Sequence, residues 1–184
     1  MNALLRYVPN CLSLLRIALS LLFIQLILSD DIALGCLVFA IAAVSDFFDG
    51  YWARKFNVSS DLGAMLDPLA DKFLMISSYS LLTYVGFIPF YVVPLVIGRD
   101  LLILFVVLLC RRRRINLPIN PLISSKINTT IQILFVTLIL ACKLLEMDIP
   151  YAKDAGAMLV CLSTFYSGAD YVQKYRWIWS ELFK

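Results

Sequence analysis

The sequence predicts an all-α integral membrane protein with six transmembrane helices, preceded by a short amphipathic helix at the membrane surface. Of its 184 residues, 61% are hydrophobic, and the mean hydropathy is +0.86. A soluble domain of this length cannot bury so much apolar surface, because about half of any folded surface faces water. Six apolar segments of spanning length occur, and basic residues concentrate on alternate connections. We expect one domain over residues 1–184.

The six apolar segments follow one another with short connections. In chain order they are residues 11–29, 32–50, 64–85, 90–110, 123–143 and 155–175. The stretch before the first segment, MNALLRYVPN, is amphipathic and predicts the surface helix. A cleaved signal peptide is not expected, because Arg16 interrupts the first apolar run and no small-residue cleavage site follows it.

Polar and turn-forming residues set the boundaries between these segments. The sequence NVSSD, residues 57–61, supplies turn and N-cap residues between the second and third segments. The longest connection, residues 111–122, contains two prolines and predicts a partly ordered loop. Trp177 and Trp179 follow the sixth segment, where they fit an interfacial aromatic belt.

Charge placement predicts the orientation in the membrane. Six spans put both termini on one side, together with the connections that carry Arg54, Lys55 and the run Arg111–Arg114. The opposite connections lean acidic, with Asp30 and Asp148 among their residues. The positive-inside rule therefore places both termini and the basic loops in the cytoplasm. We expect a bacterial inner (cytoplasmic) membrane protein whose site faces the cytoplasm.

Composition excludes several kinds of chemistry. The sequence has no histidine, so no imidazole base, nucleophile or ligand is possible, and carboxylates remain as the acid–base groups. Its five cysteines are scattered without a Cys-x-x-Cys pair, which is typical of buried thiols and not of disulfides or zinc ligands. Nucleic acid is not an expected partner, because no soluble domain carries the arginine run, which is typical of a contact with anionic lipids.

Four aspartates stand at the ends of two apolar segments, within SDFFDGYWARKFNVSSDLGAMLDPLADK. On helices, one face would carry Asp46, Asp49, Gly50 and Ala53, and a second face would carry Gly63, Asp67 and Asp71. An ionised aspartate inside a membrane helix costs about 3 kcal/mol, so a positive partner is expected. Oxygen-liganded divalent cations fit this need. The alternative is ion pairing with Arg54, Lys55 and Lys72.

The same stretch resembles the signature of the CDP-alcohol phosphatidyltransferases, D-x₂-D-G-x₂-A-R-x₈-G-x₃-D-x₃-D. Every spacing is kept from Asp46 to Asp71. PNCLSLLR, which runs from Pro9 to Arg16, is similar to the family's N-terminal P-N-x-L-T-x-x-R, with Ser13 in place of threonine. Eight matching positions make this a far more specific signal than a lone glycine pattern.

The resemblance implies transfer of a phosphatidyl group from CDP-diacylglycerol to an alcohol, with release of CMP. It implies two divalent ions, Mg²⁺ or Mn²⁺, bound by Asp46, Asp49, Asp67 and Asp71. Asp71 would also be the base that takes the acceptor's proton. The residues implied to bind the CDP-lipid are Ser13, Asp49, Gly50, Ala53, Arg54 and Gly63. A homodimer is a further expectation by analogy with the family.

Basic residues bear on the acceptor. Arg99 lies inside the fourth segment, where an ionisable residue is a functional candidate, and the alternative is an ion pair with Asp100 or another span. Lys126 starts the fifth segment, beside the loop that carries Arg111, Arg112, Arg113 and Arg114. Together they predict a basic entrance that attracts a phosphorylated or anionic acceptor, although the arginine run also fits topological anchoring.

A basic entrance favours glycerol 3-phosphate, phosphatidylglycerol or inositol phosphate over choline, ethanolamine or serine. At family level, SKINTTIQ and YSGADYV resemble the phosphatidylglycerophosphate synthase and CMP-forming cardiolipin synthase branch. We expect glycerol 3-phosphate as acceptor, with phosphatidylglycerol as the alternative. A cation transporter with an aspartate ion site is the alternative from another class. It predicts carboxylates near the middle of the membrane, whereas these stand at one boundary.

Overall fold

Six α-helices form the part of the chain that the computed structural model describes, which is residues 3–56, 63–112 and 122–176, and no strand occurs in these ranges. Side chains are described for residues 11, 13–45, 69–70, 72–107, 109–110 and 122–176. The helices are α1 (Ala3–Leu28), α2 (Ile32–Phe56), α3 (Gly63–Tyr84), α4 (Val92–Arg112), α5 (Ile123–Leu144) and α6 (Pro150–Lys174). The all-helical prediction is confirmed.

Each predicted apolar segment corresponds to one helix, although α2 continues six residues past the predicted end at 50 and α6 begins five residues before the predicted start at 155. The predicted surface helix is not a separate element, because α1 runs without a break from Ala3 to Leu28. Its first residues, ALLR, are strong helix formers, and no turn separates them from the apolar run. At the other end of the chain, α6 begins with Pro150 in its first turn, a position where the missing N–H costs nothing.

Three helices end in the same kind of turn. A residue with positive φ follows α1, α3 and α5, namely Asp30 (60°), Gly86 (78°) and Glu146 (52°). In each turn, the next N–H donates to the carbonyl five residues earlier: Asp31 to Leu26 at 3.0 Å, Phe87 to Leu82 at 2.7 Å and Met147 to Cys142 at 2.9 Å. This closure satisfies carbonyls at the helix ends. The carboxylate of Asp31 then accepts from the Leu34 N–H at 3.2 Å and caps α2.

The described residues divide into two compact units, of which the first comprises Met1–Phe87 with Val136–Asp148. Here α1 packs against α2 and α3. The rings of Phe23 and Phe39 lie 5.7 Å apart between their centroids, and a Cβ added to Gly35 would lie 2.6 Å from Ile27 Cδ1. Phe23 thus lies beside Phe39, and Ile27 lies beside Gly35. A step of four residues towards the start of α1 matches a step of four residues towards the end of α2, so the two helices are antiparallel.

The second unit comprises Ile88–Phe135 with Ile149–Lys184, and in it α4 packs against α6. An apolar cluster joins the C-terminal half of α4 to the end of α6. It contains Val106, Cys110, Leu122, Tyr171 and Tyr175, with the two tyrosine rings 4.6 Å apart. This cluster aligns the two helices in parallel.

The described core is mainly apolar, but it also contains polar and charged side chains, and many large apolar side chains are exposed. The buried polar or charged residues are Ser13, Arg16, Ser20, Ser78, Arg99, Asp100, Asn128, Gln132, Thr164 and Ser167. Large apolar side chains such as Leu162 and Phe165 are about 70% exposed (69% and 73%). Among the described residues, Ile123–Leu144 is long and apolar enough to cross a membrane, and Ser13–Leu28 and Ile32–Ser45 are shorter apolar helices.

Candidate active site

The aspartate motif lies on the two helix ends that flank residues 57–62. The C-terminal turns of α2 carry Asp46, Asp49, Gly50, Ala53 and Arg54, and the N-terminal turns of α3 carry Gly63, Asp67 and Asp71. The side chains of these eight residues lie outside those that the structure describes. Their helical backbone sets the predicted spacing, so positions three and four apart share a face on each helix.

Ser13 and Arg16 stand level with the first two aspartates. Extending the register of Phe23 with Phe39 by seven residues in each helix brings Arg16 level with Asp46, and extending it by ten brings Ser13 level with Asp49. Both Ser13 and Arg16 are fully buried. The structure therefore puts the predicted CDP-lipid residue Ser13 at the height of the motif.

Arg16 did not figure among the predicted site residues, although the sequence contained its signal. A charged group inside an apolar run is costly unless it is paired, and here it is fully buried on the face of α1 that also carries Ser13. At the height of Asp46, Arg16 supplies a positive charge at the level where the motif carries its aspartates.

Arg99 is the centre of a polar network in the second unit. Its Nη1 donates to Asp100 Oδ1 at 2.7 Å, and its Nη2 donates to Ser125 Oγ at 2.5 Å and Ser167 Oγ at 2.7 Å. The side chains of Arg99 and Asp100 are 6% and 4% exposed. The ion pair that the sequence left as an alternative is therefore present. Of the three guanidinium nitrogens of Arg99, Nε is buried and makes no hydrogen bond to a described residue.

Lys126 follows directly after a residue that Arg99 contacts. Ser125 accepts from Arg99, and Lys126 is exposed in the same turn of α5. The two basic residues that the sequence proposed for the acceptor thus come to the same end of α5. Arg111 and Arg112 are the last residues of α4 and their side chains are not among those described, while Arg113 and Arg114 lie outside the described residues.

The sequence prediction missed a row of polar side chains between α5 and α6. Ser163 and Thr164 donate to Asn128 Oδ1 at 2.8 and 3.0 Å, and Gln132 Nε2 donates to Thr164 Oγ1 at 3.3 Å. A further bond joins the hydroxyl of Ser124 to the carboxylate of Asp170. The signal was available, because Ser124, Asn128 and Gln132 recur every four residues and so share one face of α5. Such bonds join helices in a membrane.

An open groove of ≈ 760 Å³ lies between α4 and α6. Its lining is mainly apolar and includes Leu102, Phe165, Gly98 and Gly168, and Arg99 and Arg176 also line it. A Cβ added to Gly98 would meet nothing within 4 Å, and one added to Gly168 would meet only Arg99 Cγ at 3.8 Å. The two glycines therefore leave space instead of allowing close helix contact.

The donor set of the motif fits a hard divalent cation. Four carboxylates provide only oxygen ligands, which Mg²⁺ and Mn²⁺ prefer, and helices α2 and α3 present them in pairs spaced three and four residues apart. Elsewhere, the described side chains contain no group of three or more His, Cys, Asp or Glu able to hold a metal ion. The aspartate motif is thus the candidate metal site.

Comparison with known proteins identifies a family. The model of the CDP-alcohol phosphatidyltransferase family matches residues 6–166. The chain is 38% identical over 157 residues to a CDP-diacylglycerol--glycerol-3-phosphate 3-phosphatidyltransferase of Aquifex aeolicus, covering 83% of this chain and 82% of that protein. With the enzyme of the same name from Bacillus subtilis it shares 31% identity over 183 residues, which is 90% of this chain and 93% of the other.

A second kind of relative is equally similar. The chain is 32% identical over 187 residues to the human cardiolipin synthase (CMP-forming), which covers 92% of this chain. It spans only 61% of the length of that human protein. These relatives therefore carry two kinds of name, a glycerol-3-phosphate 3-phosphatidyltransferase and a cardiolipin synthase.

Proposed function

We propose, from the premise that the chain belongs to the CDP-alcohol phosphatidyltransferase family, that it transfers the phosphatidyl group of CDP-diacylglycerol to glycerol 3-phosphate and releases CMP. The observation that carries the proposal is the complete motif from Asp46 to Asp71, on the consecutive ends of α2 and α3. In the reaction, the acceptor hydroxyl oxygen bonds to the β-phosphorus, the phosphoanhydride bond to CMP breaks, and the hydroxyl proton leaves to a base.

Each side chain of the motif has a role in this proposal. Asp46, Asp49, Asp67 and Asp71 would hold two divalent ions, Mg²⁺ or Mn²⁺, which when bound supply positive charge to the diphosphate. Other side chains and the same motif supply the base and the contacts to the nucleotide. Asp71 takes the hydroxyl proton, the role that the resemblance to the family motif implies for this carboxylate. Gly50, Ala53 and Gly63 leave room for the nucleotide, and Arg54 and Ser13 bind it.

The acceptor phosphate would meet the basic residues at the start of α5. Lys126 is exposed there, while Arg99 is already engaged by Asp100, Ser125 and Ser167. We therefore assign the direct contact to Lys126, and to Arg99 the placement of Ser125 and hence of this turn. Arg111, Arg112, Arg113 and Arg114 would attract the anionic acceptor over a longer range.

We also propose that the six helices cross the membrane. The six helices contain 21 to 26 residues, or roughly 32–39 Å at 1.5 Å per residue, enough to cross a hydrocarbon core of about 30 Å. The buried polar groups and exposed apolar side chains support this arrangement. We infer six spans, a site facing the cytoplasm, and anionic membrane lipids as neighbours of the basic loops.

The phosphatidylglycerol acceptor is the second candidate. Similarity to the human cardiolipin synthase (CMP-forming) and the apolar groove beside Arg99 favour it. In that reaction the hydroxyl comes from a lipid head group already in the membrane, and the chemistry at the aspartates is the same.

One experiment separates these possibilities. Purified protein would receive CDP-diacylglycerol and Mg²⁺, with glycerol 3-phosphate, phosphatidylglycerol, inositol phosphate or serine as acceptor, and CMP and lipid products would be measured. We expect CMP release with glycerol 3-phosphate and none in excess EDTA. Cardiolipin formation with no use of glycerol 3-phosphate would replace the first acceptor with the second. Full CMP release in EDTA would contradict the role of the metal ions.

A further inference from the structure

We propose that the groove between α4 and α6 binds an acyl chain of the acceptor lipid, a glycerophospholipid with an anionic glycerol head group. The inference rests on the proposed function with phosphatidylglycerol as the acceptor. It assigns the hydrocarbon chain of that lipid a binding place outside the aspartate motif. Every residue that carries the argument belongs to the second unit and has a described side chain.

The size and lining of the groove match a hydrocarbon chain. A volume of ≈ 760 Å³ lies within the usual range for ligand sites of about 300–1,000 Å³, and it far exceeds what glycerol 3-phosphate needs. Leu102 and Phe165 are among the apolar residues that line it. Such a lining binds hydrocarbon and offers few contacts to a small polar acceptor.

Two glycines keep the groove open. Glycines on adjacent membrane helices usually bring the two backbones into contact. Here a Cβ on Gly98 would have no atom within 4 Å, and a Cβ on Gly168 would make only an ordinary contact with Arg99. Close packing of α4 against α6 therefore does not explain them. Absence of side chains at this level leaves a space that a lipid chain can fill.

An exposed basic side chain in the lining of the groove fits the charged part of a lipid. Arg99 also lines the groove, but its guanidinium is engaged by Asp100, Ser125 and Ser167. Arg176 lines the groove two residues beyond the end of α6 and is exposed. Its guanidinium can pair with a phosphodiester, and its positive charge repels the trimethylammonium of a choline lipid, which favours an anionic lipid over a zwitterionic one.

Binding in detergent tests the site without requiring turnover. Dioleoylphosphatidylglycerol would be titrated into purified protein, with dioleoylphosphatidylcholine as the comparison lipid, and the thermal shift would give an apparent affinity. Gly98→Leu places a side chain in the groove where no atom obstructs it, so we expect a native unfolding temperature and at least a tenfold loss of phosphatidylglycerol affinity. Gly98→Ala is the matched control and should retain most of the affinity.

Two further variants make the test specific. Arg176→Gln should reduce the preference for phosphatidylglycerol over phosphatidylcholine, because it removes the positive charge that repels the choline trimethylammonium. Leu162→Trp changes an α6 side chain that is 69% exposed and does not line the groove, so it should bind lipid like the wild type. Wild-type affinity in Gly98→Leu overturns the proposal. Conversion of a dimer to a monomer by Gly98→Leu also overturns it, since the groove would then be filled by a second copy of the chain.

Transfer assays distinguish this inference from the proposed function. If the groove holds the acceptor lipid, Gly98→Leu lowers the rate with phosphatidylglycerol relative to the rate with glycerol 3-phosphate. A wild-type protein that releases no CMP with any acceptor refutes the proposed function, while loss of binding in Gly98→Leu would still support a lipid site. An active enzyme with an unchanged ratio of the two rates in Gly98→Leu refutes the acceptor groove alone.

Discussion

At the scale of single residues, the proton acceptor is the most direct test of the mechanism. Asp71→Asn keeps the size of the side chain and one oxygen but removes the base. We expect turnover to fall by about 10²–10⁴-fold, the usual contribution of a general base, with CDP-diacylglycerol binding still measurable. Single-turnover assays and equilibrium binding on the same preparation would separate the two effects. A variant that retains more than about a tenth of the wild-type rate would contradict this role.

Lys126 tests the acceptor at the same scale. Its side chain is exposed, one residue after the serine that Arg99 contacts. We expect Lys126→Ala to raise the KM for glycerol 3-phosphate by roughly ten- to a hundredfold, which corresponds to about 1.5–3 kcal/mol for one charge-assisted contact, and to change the KM for CDP-diacylglycerol much less. Equal increases for both substrates would place Lys126 elsewhere in the mechanism.

Removing one charge of the Arg99–Asp100 pair is expected to destabilise the protein more than removing both charges. Both side chains are almost completely buried. Arg99→Leu removes the arginine from beside the buried Asp100 carboxylate, so we expect a loss of about 3–5 kcal/mol. The double variant Arg99→Leu, Asp100→Leu removes both charges and should be more stable than Arg99→Leu alone. Unfolding in detergent measures both, and equal stability of the two variants would show that the pair is not coupled.

At the scale of helices, two glycines of the second unit make a matched pair. A Cβ on Gly156 would lie 2.6 Å from the ring of Phe135, whereas a Cβ on Gly98 would contact nothing. We expect Gly156→Ala to destabilise the protein by about 1–3 kcal/mol, because α5 and α6 must shift apart. Gly98→Ala should be neutral or stabilising, by up to about 1 kcal/mol of helix propensity. Thermal unfolding of the two variants checks the contrast, and a reversed order would contradict the packing of α6 on α5.

At the scale of the whole molecule, the orientation in the membrane is testable with single cysteines. In a variant without its five native cysteines, Arg113→Cys and Asp148→Cys would be labelled in intact cells by a membrane-impermeant maleimide. The positive-inside rule predicts labelling at position 148 and protection at position 113 until the cells are lysed. Labelling of intact cells at position 113 would put the aspartate motif on the wrong face for a cytoplasmic nucleotide lipid.

The sequence by itself determined the helices, the aspartate spacing and the family. The length of an apolar run and the turn-forming residues at its ends act within one segment, which is why six helices could be predicted from local pattern. The family signature from Asp46 to Asp71 also lies within one contiguous stretch. The predicted separate surface helix was wrong because strong helix formers at the N-terminus continue α1 without a turn.

Only the tertiary structure decided which distant residues meet. Arg99 binds side chains 26 and 68 residues away in the sequence, and the level of Arg16 with Asp46 follows from the register of α1 on α2. The groove at Gly98 exists because α4 and α6 leave space between facing small residues. Periodicity indicates which face of a helix is polar, but the partner of that face depends on how whole helices pack, and that choice is made by side-chain shape across long sequence separations.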